Sequence, residues 1–439
     1  MLSVIVLFTF CNTQNKTKVN TFKKKAQNGF WLKEGLSYEV IFQAGDTLLA
    51  PNGKLVPAKK NLDLNVLVDG ALFVSHETAT KHDDLGDGGG MTKVIFDKDG
   101  KVMERIATDF SAVNGTWQNC GGTLGPDGMI YTCEEFPMGN NHALHRDGTF
   151  IRDTNKIGDY PRYLDYGWVV QVDPRTNKAV QKMYGMGRYS HEDLYFLKDQ
   201  KTVFITDDYY PAVVFKFVAD VNNDFSKGSL FALQLDGQKG SWIALPNDRA
   251  ALNDARNVAI SLGATIFVRH EWITSDGNNL YINETGYSEF EVNEYIKMGG
   301  TIPYYLKVKN GKIQYPDGAV LKYNIATNQI EVMIEGGTQE SLFLKNPDCN
   351  EFYQKGANGY LFICEDRSSE NLNVSNRVLM YNINTKKMEH ILTVPRGAEA
   401  SGLIFDEEGT MYINMQHPSP DNDAPFNKGT TMKIKGLFD

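Results

Sequence analysis

One pattern recurs along this chain and limits its possible folds more than any other: a turn, a few apolar or aromatic residues, then a polar cluster usually holding an acid. Its copies are Asp69-Gly70-Ala71-Leu72-Phe73-Val74-Ser75-His76-Glu77, Pro126-Asp127-Gly128-Met129-Ile130-Tyr131-Thr132-Cys133-Glu134-Glu135 and Thr202-Val203-Phe204-Ile205-Thr206-Asp207-Asp208. The remaining copies are Leu280-Tyr281-Ile282-Asn283-Glu284, Gly359-Tyr360-Leu361-Phe362-Ile363-Cys364-Glu365-Asp366 and Gly409-Thr410-Met411-Tyr412-Ile413-Asn414-Met415-Gln416-His417-Pro418. A short apolar run bounded by turn residues reads as a buried strand. In Pro126-Asp127-Gly128 the turn has a mechanism, because Pro presets φ and Gly accepts positive φ. The copies follow one another at roughly 50–80 residues, a period suited to four-stranded blades carrying insertions. Segments such as Val169-Val170-Gln171-Val172 and Val320-Leu321-Lys322-Tyr323 supply further strands. Repeating antiparallel sheets around a channel leaves only short, protected edges. The sequence therefore predicts an all-β, six-bladed β-propeller as a single catalytic domain over residues 31–439, with short helical insertions at 247–262 and 289–298.

Composition agrees with that class. Glycine (40), Phe (24) and Tyr (21) are plentiful, and no long amphipathic helix competes with the strand pattern. The net charge of −9 argues against a nucleic-acid partner, which leaves a basic footprint, and suits a protein that gathers carboxylates around cations. Residues 1–11 are apolar yet too short to span a bilayer, and read as an export signal. Cys11 closes that run and a Lys- and Asn-rich stretch follows, so the arrangement resembles a bacterial lipoprotein signal with Cys11 acylated. Residues 12–30 then form a flexible tether. The alternative is an ordinary cleaved signal peptide. Either one puts the mature protein outside the cytoplasm, in contact with membrane only through a lipid anchor, and a monomer is expected.

Radial symmetry has a consequence for charge. Equivalent strand ends reach the same rim, so Glu77, Glu134, Asp207, Glu284, Glu365 and Gln416 or His417 are expected to converge on one axis. Converging carboxylates repel one another and lose water, so they do not stay ionised together without cations. A metal cluster is the implied site. The competing reading is that the acids cap strands on a wet surface, which suits a single acid better than an acid at the same place in most repeats. At the end of the second copy, Glu134 and Glu135 face opposite ways because strand side chains alternate. One of them can point at a shared site while its neighbour braces the loop. The same symmetry sets Cys133 and Cys364 on opposite sides, beyond the Cα spacing of about 4.4–6.8 Å that a disulfide needs.

Asn119-Cys120-Gly121-Gly122 followed by Thr132-Cys133-Glu134-Glu135 resembles the signature of the PhoX family of secreted alkaline phosphatases. Ser75-His76-Glu77, Tyr166-Gly167-Trp168-Val169-Val170-Gln171-Val172-Asp173-Pro174 and Met186-Gly187-Arg188-Tyr189-Ser190-His191-Glu192 are similar to further blocks of that family. So are Phe267-Val268-Arg269-His270-Glu271-Trp272 and Ile413-Asn414-Met415-Gln416-His417-Pro418. The resemblance implies a six-bladed propeller, phosphomonoester hydrolysis and a cofactor of ferric iron (Fe3+) and calcium (Ca2+). Carried onto matching positions, it implies Cys120 as a thiolate ligand of iron. It further implies Glu134 or Glu135, Glu192, Glu271 and Glu365 as carboxylate ligands, with Glu77 and Asp207 beside them. Trp272 stands where the family pattern has an acid, Ser75 replaces an Asn, and the glycine segment is one residue shorter.

The residue types suit that chemistry. Carboxylates favour hard cations such as Ca2+, whereas a thiolate favours iron or zinc, so one cysteine among many acids points to a mixed-metal site. Gly121 and Gly122 allow close backbone approach beside Cys120. Arginine recognises phosphoryl oxygens in a bidentate manner, and Arg269 and Arg367 each adjoin an expected ligand. His191 precedes Glu192 and is expected to orient that carboxylate. The chain lacks a Cys-x5-Arg phosphatase loop and a Gly-x4-Gly-Lys-Ser/Thr loop. A calcium-dependent propeller lactonase or esterase, and a non-catalytic ligand-binding propeller, are the rival readings of a small-molecule phosphoester hydrolase.

Overall fold

The computed structural model describes residues 29–80, 82–136, 143–144, 150–151, 156–157, 160–367 and 375–438. The expected signal, Cys11 and most of the expected tether lie outside these residues. The chain is mostly β. Every copy of the recurring pattern becomes a strand: Ala71–His76, Ile130–Glu134, Thr202–Asp207, Asn279–Glu284, Asn358–Glu365 and Met411–Gln416. Each pairs antiparallel with the strand before it, and these partners are Leu62–Val68, Asn119–Leu124, His191–Phe196, His270–Ser275, Pro347–Lys355 and Glu399–Phe405. The partner strands touch one another in a closed cycle that follows chain order, with the last against the first. They are the inner strands of the molecule.

Further strands extend each sheet outward. Met91–Phe96 and Val102–Ala107 follow Ala71–His76, and Val169–Asp173 and Lys178–Lys182 follow Ile130–Glu134. The sheets built on His191–Phe196 and His270–Ser275 merge into nine strands through one register pair at their outer edges, Lys239↔Gln329. The ends of the chain share a sheet, because Ser37–Gln43 pairs antiparallel with Thr430–Lys435. That pairing ties both termini of the β structure to the cycle. Large side chains fill the wedges between sheets; Tyr131 and Phe196, for example, come from neighbouring sheets with ring centroids 4.8 Å apart. The expected helical insertions are short. Arg249–Leu252 and Ala255–Ser261 lie within the first, with the Asp248 carboxylate accepting from Ala250 N and Ala251 N, and Asn293–Met298 lies within the second. Cys120, Cys133, Cys349 and Cys364 are buried and free.

The inner strands share an irregularity that matters for the site. Register runs from Leu62↔His76 to Asn65↔Val74, from His191↔Asp207 to Leu194↔Ile205, from His270↔Glu284 to Ile273↔Ile282, and from Pro347↔Glu365 to Asn350↔Ile363. The second unit runs likewise from Asn119↔Glu134 to Gly122↔Thr132. Each time the inner strand advances one residue more than its partner, which is a β-bulge. In the last unit the bulge comes later, at Gly402-Leu403. Gly402 has φ of 59°, and a Cβ there would overlap the Asp63 carbonyl of the first inner strand. Gly402→Ala is therefore expected to destabilise the junction between last and first units by about 2–3 kcal/mol, read as a lowered denaturant midpoint at unchanged m. A midpoint equal to that of the unsubstituted protein would show that this closure is not tightly packed.

Candidate metal centre

A bulge pushes extra backbone into the strand and re-aims the side chains beside it. The residues opening the first five bulges are Asp63, Cys120, Glu192, Glu271 and Asp348, all buried. The second strands supply the other wall. Strand alternation decides which of their terminal residues face it.

Register places His76, Glu134, Asp207, Glu284, Glu365 and Gln416 at equivalent strand ends. Four of these acids are tied to neighbouring loops. Glu134 accepts from Gly167 N at 2.8 Å, Trp168 N at 3.1 Å, Trp117 N at 3.2 Å and Thr116 Oγ1 at 2.9 Å, with Lys182 Nζ 3.3 Å away. Asp207 accepts from Val213 N at 3.2 Å and holds the Arg256 guanidinium. Glu284 accepts from Val268 N at 3.0 Å and from the Tyr305 hydroxyl at 2.8 Å. Glu365 accepts from Lys345 N at 3.1 Å, lies 3.1 Å from Arg367 Nε, and takes both ends of the Arg377 guanidinium at 2.6 and 2.7 Å. These acids brace loops, each with both carboxylate oxygens engaged.

The next residue in each chain direction faces the other way. Glu135, with Cys120 and Glu192, forms one group of donor atoms that all lie within 4.8 Å of one another. Asp208 with Glu192 and Glu271 forms a second, and Asp348, Asp366 and Glu399 form a third. Glu192 is common to the first two. The third adjoins them electrostatically, because Asp348 is influenced by Glu271 and Glu192. Thus the structure brings together Cys120, Glu135, Glu192 and Glu271 from the expected ligands. It does not bring Glu134, Asp207 or Glu365 into these groups. Glu77 is buried nearby, accepting from Gln416 Nε2 at 2.7 Å and Gln118 Nε2 at 3.3 Å.

The remaining expected residues divide. Arg269 grips Asp208 through two bonds of 2.7 Å and reaches Glu271 at 3.1 Å, with its side chain 27% exposed. It stands at the edge of the donor groups. Arg367 instead donates to the Phe343 carbonyl at 3.2 Å and pairs with Glu365. The His191 ring is turned away, with Nε2 2.8 Å from the Gly187 carbonyl and the ring against Tyr189. Burial lowers its pKa to about 3, so it is neutral. Its backbone carbonyl, however, lies 3.1 Å from Cys120 Sγ. His417 contacts the third group, with Nε2 2.9 Å from Glu399. The residues not anticipated are Asp63, Asp208, Asp348, Asp366 and Glu399. The acid doublets Glu134-Glu135, Asp207-Asp208 and Glu365-Asp366 carried a signal for two of them, since only the second member of each faces the centre.

Burial, followed by repulsion from Glu271, holds the Glu192 carboxyl well above its ordinary range, and burial followed by Asp208 does the same for Glu271. Burial and then Glu271 raise Asp348, while burial, Glu192 and Glu135 raise the Cys120 thiol. Removing an ionised carboxylate from water costs several kcal/mol unless a counter-charge compensates. Arg269 is one cation beside many acids. The donor set therefore fits bound metal ions, with Cys120 suited to iron or zinc and the all-oxygen groups suited to calcium.

A family model described as alkaline phosphatase PhoX matches residues 98–419. Among solved structures, Pseudomonas fluorescens PhoX in complex with vanadate, a transition-state analogue, aligns over 93% of this chain and 96% of that one, at 18% identity and a TM-score of 0.69. That similarity is one of fold. A Dyadobacter fermentans protein of unknown function covers 91% and 100% of the two chains at 9% identity and a TM-score of 0.46. Trypanosoma rangeli sialidase in complex with the inhibitor DANA covers 92% and 60% at 8% identity and a TM-score of 0.45. No curated protein matches the chain.

Two outcomes follow from the geometry. Asp207→Ala leaves Arg256 without its carboxylate and is expected to cost roughly 3–5 kcal/mol of stability while metal per folded chain is retained. Asp208→Asn is expected to lower metal content instead; equal metal loss in both would dissolve the distinction between bracing and facing acids. The second outcome concerns pH. Folded Glu192 and Glu271 keep protons above the ordinary 4.5, and Asp348 above 3.8, where the unfolded chain releases them. Metal-free protein is thus expected to lose stability as pH rises above the ordinary carboxyl value of 4.5, and calcium to restore it. A flat thermal midpoint across that range would show that these acids do not share one buried site.

Proposed function

The chain belongs to the alkaline phosphatase PhoX family, and we propose that it hydrolyses small phosphomonoesters outside the cytoplasm, using iron and calcium held at the centre described above. The observation that carries this reading is the pair of donor groups joined through Glu192, one with a thiol and one without. Cys120, Glu135 and Glu192 would hold iron; Glu192, Asp208 and Glu271 would hold calcium, as would Asp348, Asp366 and Glu399. Bound there, these ions would supply the positive charge that phosphoryl transfer requires.

The chain's own residues set the geometry. Asp208 and Glu271 fix the Arg269 guanidinium at the edge of the centre, so a bound phosphoryl group meets a donor already oriented for it. Holding that side chain in place lowers the entropy cost of binding. Burial of the inner-strand acids keeps bulk water from screening them, which strengthens their interactions with positive charge. Gly121 and Gly122 permit the close packing of Cys120 against the His191–Glu192 backbone, where an added Cβ at Gly121 would strike the Glu192 carbonyl. The closed cycle of inner strands supports the six-bladed propeller architecture and a single catalytic unit over 31–439. The apolar segment 1–11 supports export, and Cys11 a lipid anchor; among the described residues no helix is long and apolar enough to cross a membrane.

A chromogenic aryl phosphate assay on protein purified without chelators tests the reading, alongside elemental analysis. Phosphatase activity with both iron and calcium is expected. Because altering residues that merely support a metal site costs about 10–100-fold, loss of a direct ligand in Cys120→Ala should lower kcat/KM by about 100-fold or more and remove iron from a folded protein. Calcium alone, with lactone or ester hydrolysis, would overturn it, and so would wild-type turnover in Cys120→Ala.

A further inference from the structure

The third and fourth units build an aromatic wall beside the metal centre. Tyr209 and Tyr210 directly follow Asp208, the acid that Arg269 grips. Two peptide units separate Tyr210 from Asp208, so their Cα atoms lie within about 8 Å of each other. Both rings are left in water, at 37% and 40% exposure. Exposed apolar surface rimmed by charged groups marks a place where a ligand binds.

A chain insertion supplies a third ring. Between Asn279–Glu284 and Ala319–Asn324 the chain forms a three-stranded sheet of Tyr287–Glu291, Val308–Lys309 and Lys312–Tyr315, together with the helix Asn293–Met298. Phe290, Val292, Leu306 and Ile313 pack this insertion onto Val268, the residue before Arg269. Tyr287 opens its first strand, and Thr285 N, just before it, donates to the Arg269 carbonyl at 2.9 Å. The insertion therefore starts at the rim that carries Arg269.

The rings hold one another in place. Tyr209 and Tyr210 have centroids 5.4 Å apart with planes at 9°, and Tyr210 and Tyr287 have centroids 4.5 Å apart at 26°. The Arg256 guanidinium lies 4.1 Å from the Tyr209 ring centre while it holds Asp207, so the bracing ion pair fixes this wall as well as its loop. Tyrosines fixed in this way lose little conformational freedom when a ligand arrives. Tyr210 also hydrogen-bonds Tyr287 through its hydroxyl; that bond and then burial raise its pKa to about 12, so no phenolate repels an anion below that pH. The positive charge of Arg269 reaches the same hydroxyl.

A guanidinium suited to phosphoryl oxygens, next to a fixed aromatic wall, matches an ester with a flat ring. On the strength of the phosphatase reading, we propose that Tyr209, Tyr210 and Tyr287 form the leaving-group subsite, selecting phosphomonoesters whose alcohol carries a planar aromatic ring over those of small aliphatic alcohols. The phosphoryl group sits at Arg269 and the metal centre, and the ring packs against the exposed parts of Tyr209 and Tyr210.

Tyr210→Ala removes the middle ring. The readout is kcat/KM for phenyl phosphate and for a nucleoside monophosphate, each divided by that for glycerol phosphate, so that any general loss of activity cancels. At least one ratio is expected to fall about 10-fold, carried by KM, and Tyr210→Phe, which keeps the ring, should keep the ratio. Which ratio falls distinguishes an aryl ring from a nucleobase. Unchanged ratios, or equal losses on all three esters, would overturn the subsite. If Tyr210→Ala does not fold, or if wild type lacks phosphatase activity, calorimetry on wild type with phenylphosphonate and methylphosphonate decides. Phenylphosphonate bound about 10-fold more tightly supports the wall, and equal or absent binding refutes it. Absent turnover on every ester contradicts the proposed function and leaves that binding comparison to judge the subsite.

Discussion

Buried negative charge is the constraint to which the rest of the structure answers. Glu135 and Glu192, and again Glu192, Asp208 and Glu271, sit out of water within a few ångströms of each other, and Arg269 grips two of them. Such an arrangement survives as apoprotein only by holding protons, and as holoprotein only by holding metal ions. The fold's task is to force these side chains together against their repulsion. A closed cycle of inner strands does so because no strand can withdraw without opening contacts to both neighbours.

The acids fall into two classes that differ by one residue. Glu134, Asp207, Glu284 and Glu365 end their strands and take hydrogen bonds from loop N–H groups, arginines or a tyrosine. Glu135, Asp208 and Asp366 come next and turn to the centre. The first class stiffens the loops that present the second. Arg256 and Arg377 serve that bracing role, while Arg269 alone among these arginines reaches an acid of the centre. The cost of fixing the loops is thus offset by satisfied, buried ion pairs, and the facing acids are left to the metals.

Much of this was legible in the sequence. The recurring turn and apolar run marked the second strand of every unit, and the paired acids after it marked the rim. Parity along a strand was harder: a shift of one residue exchanges the two faces, so Glu134 and Glu135 stayed open as alternatives, and Asp207 and Glu365 were expected where Asp208 and Asp366 stand. The inner strands were hidden for a different reason. Leu62–Val68 and Pro347–Lys355 carry Asp63, Asn65, Asp348 and Asn350 in buried positions, so they do not read as apolar runs. Their bulges break the alternation further, and only cross-strand register exposes which residue is re-aimed. His191 was expected to steer Glu192 through its ring, yet it contributes a backbone carbonyl near Cys120, which no pattern of side chains reveals.

The proposed chemistry requires sulfur and carboxylate oxygen to share metal ions at one centre. Anomalous diffraction at the iron edge, from crystals of protein purified without chelators, addresses that most directly. A peak is expected within bonding distance of Cys120 Sγ, flanked by oxygens of Glu135 and Glu192. A map with no peak there, or with iron bound only by residues outside the inner strands and their facing acids, would contradict it.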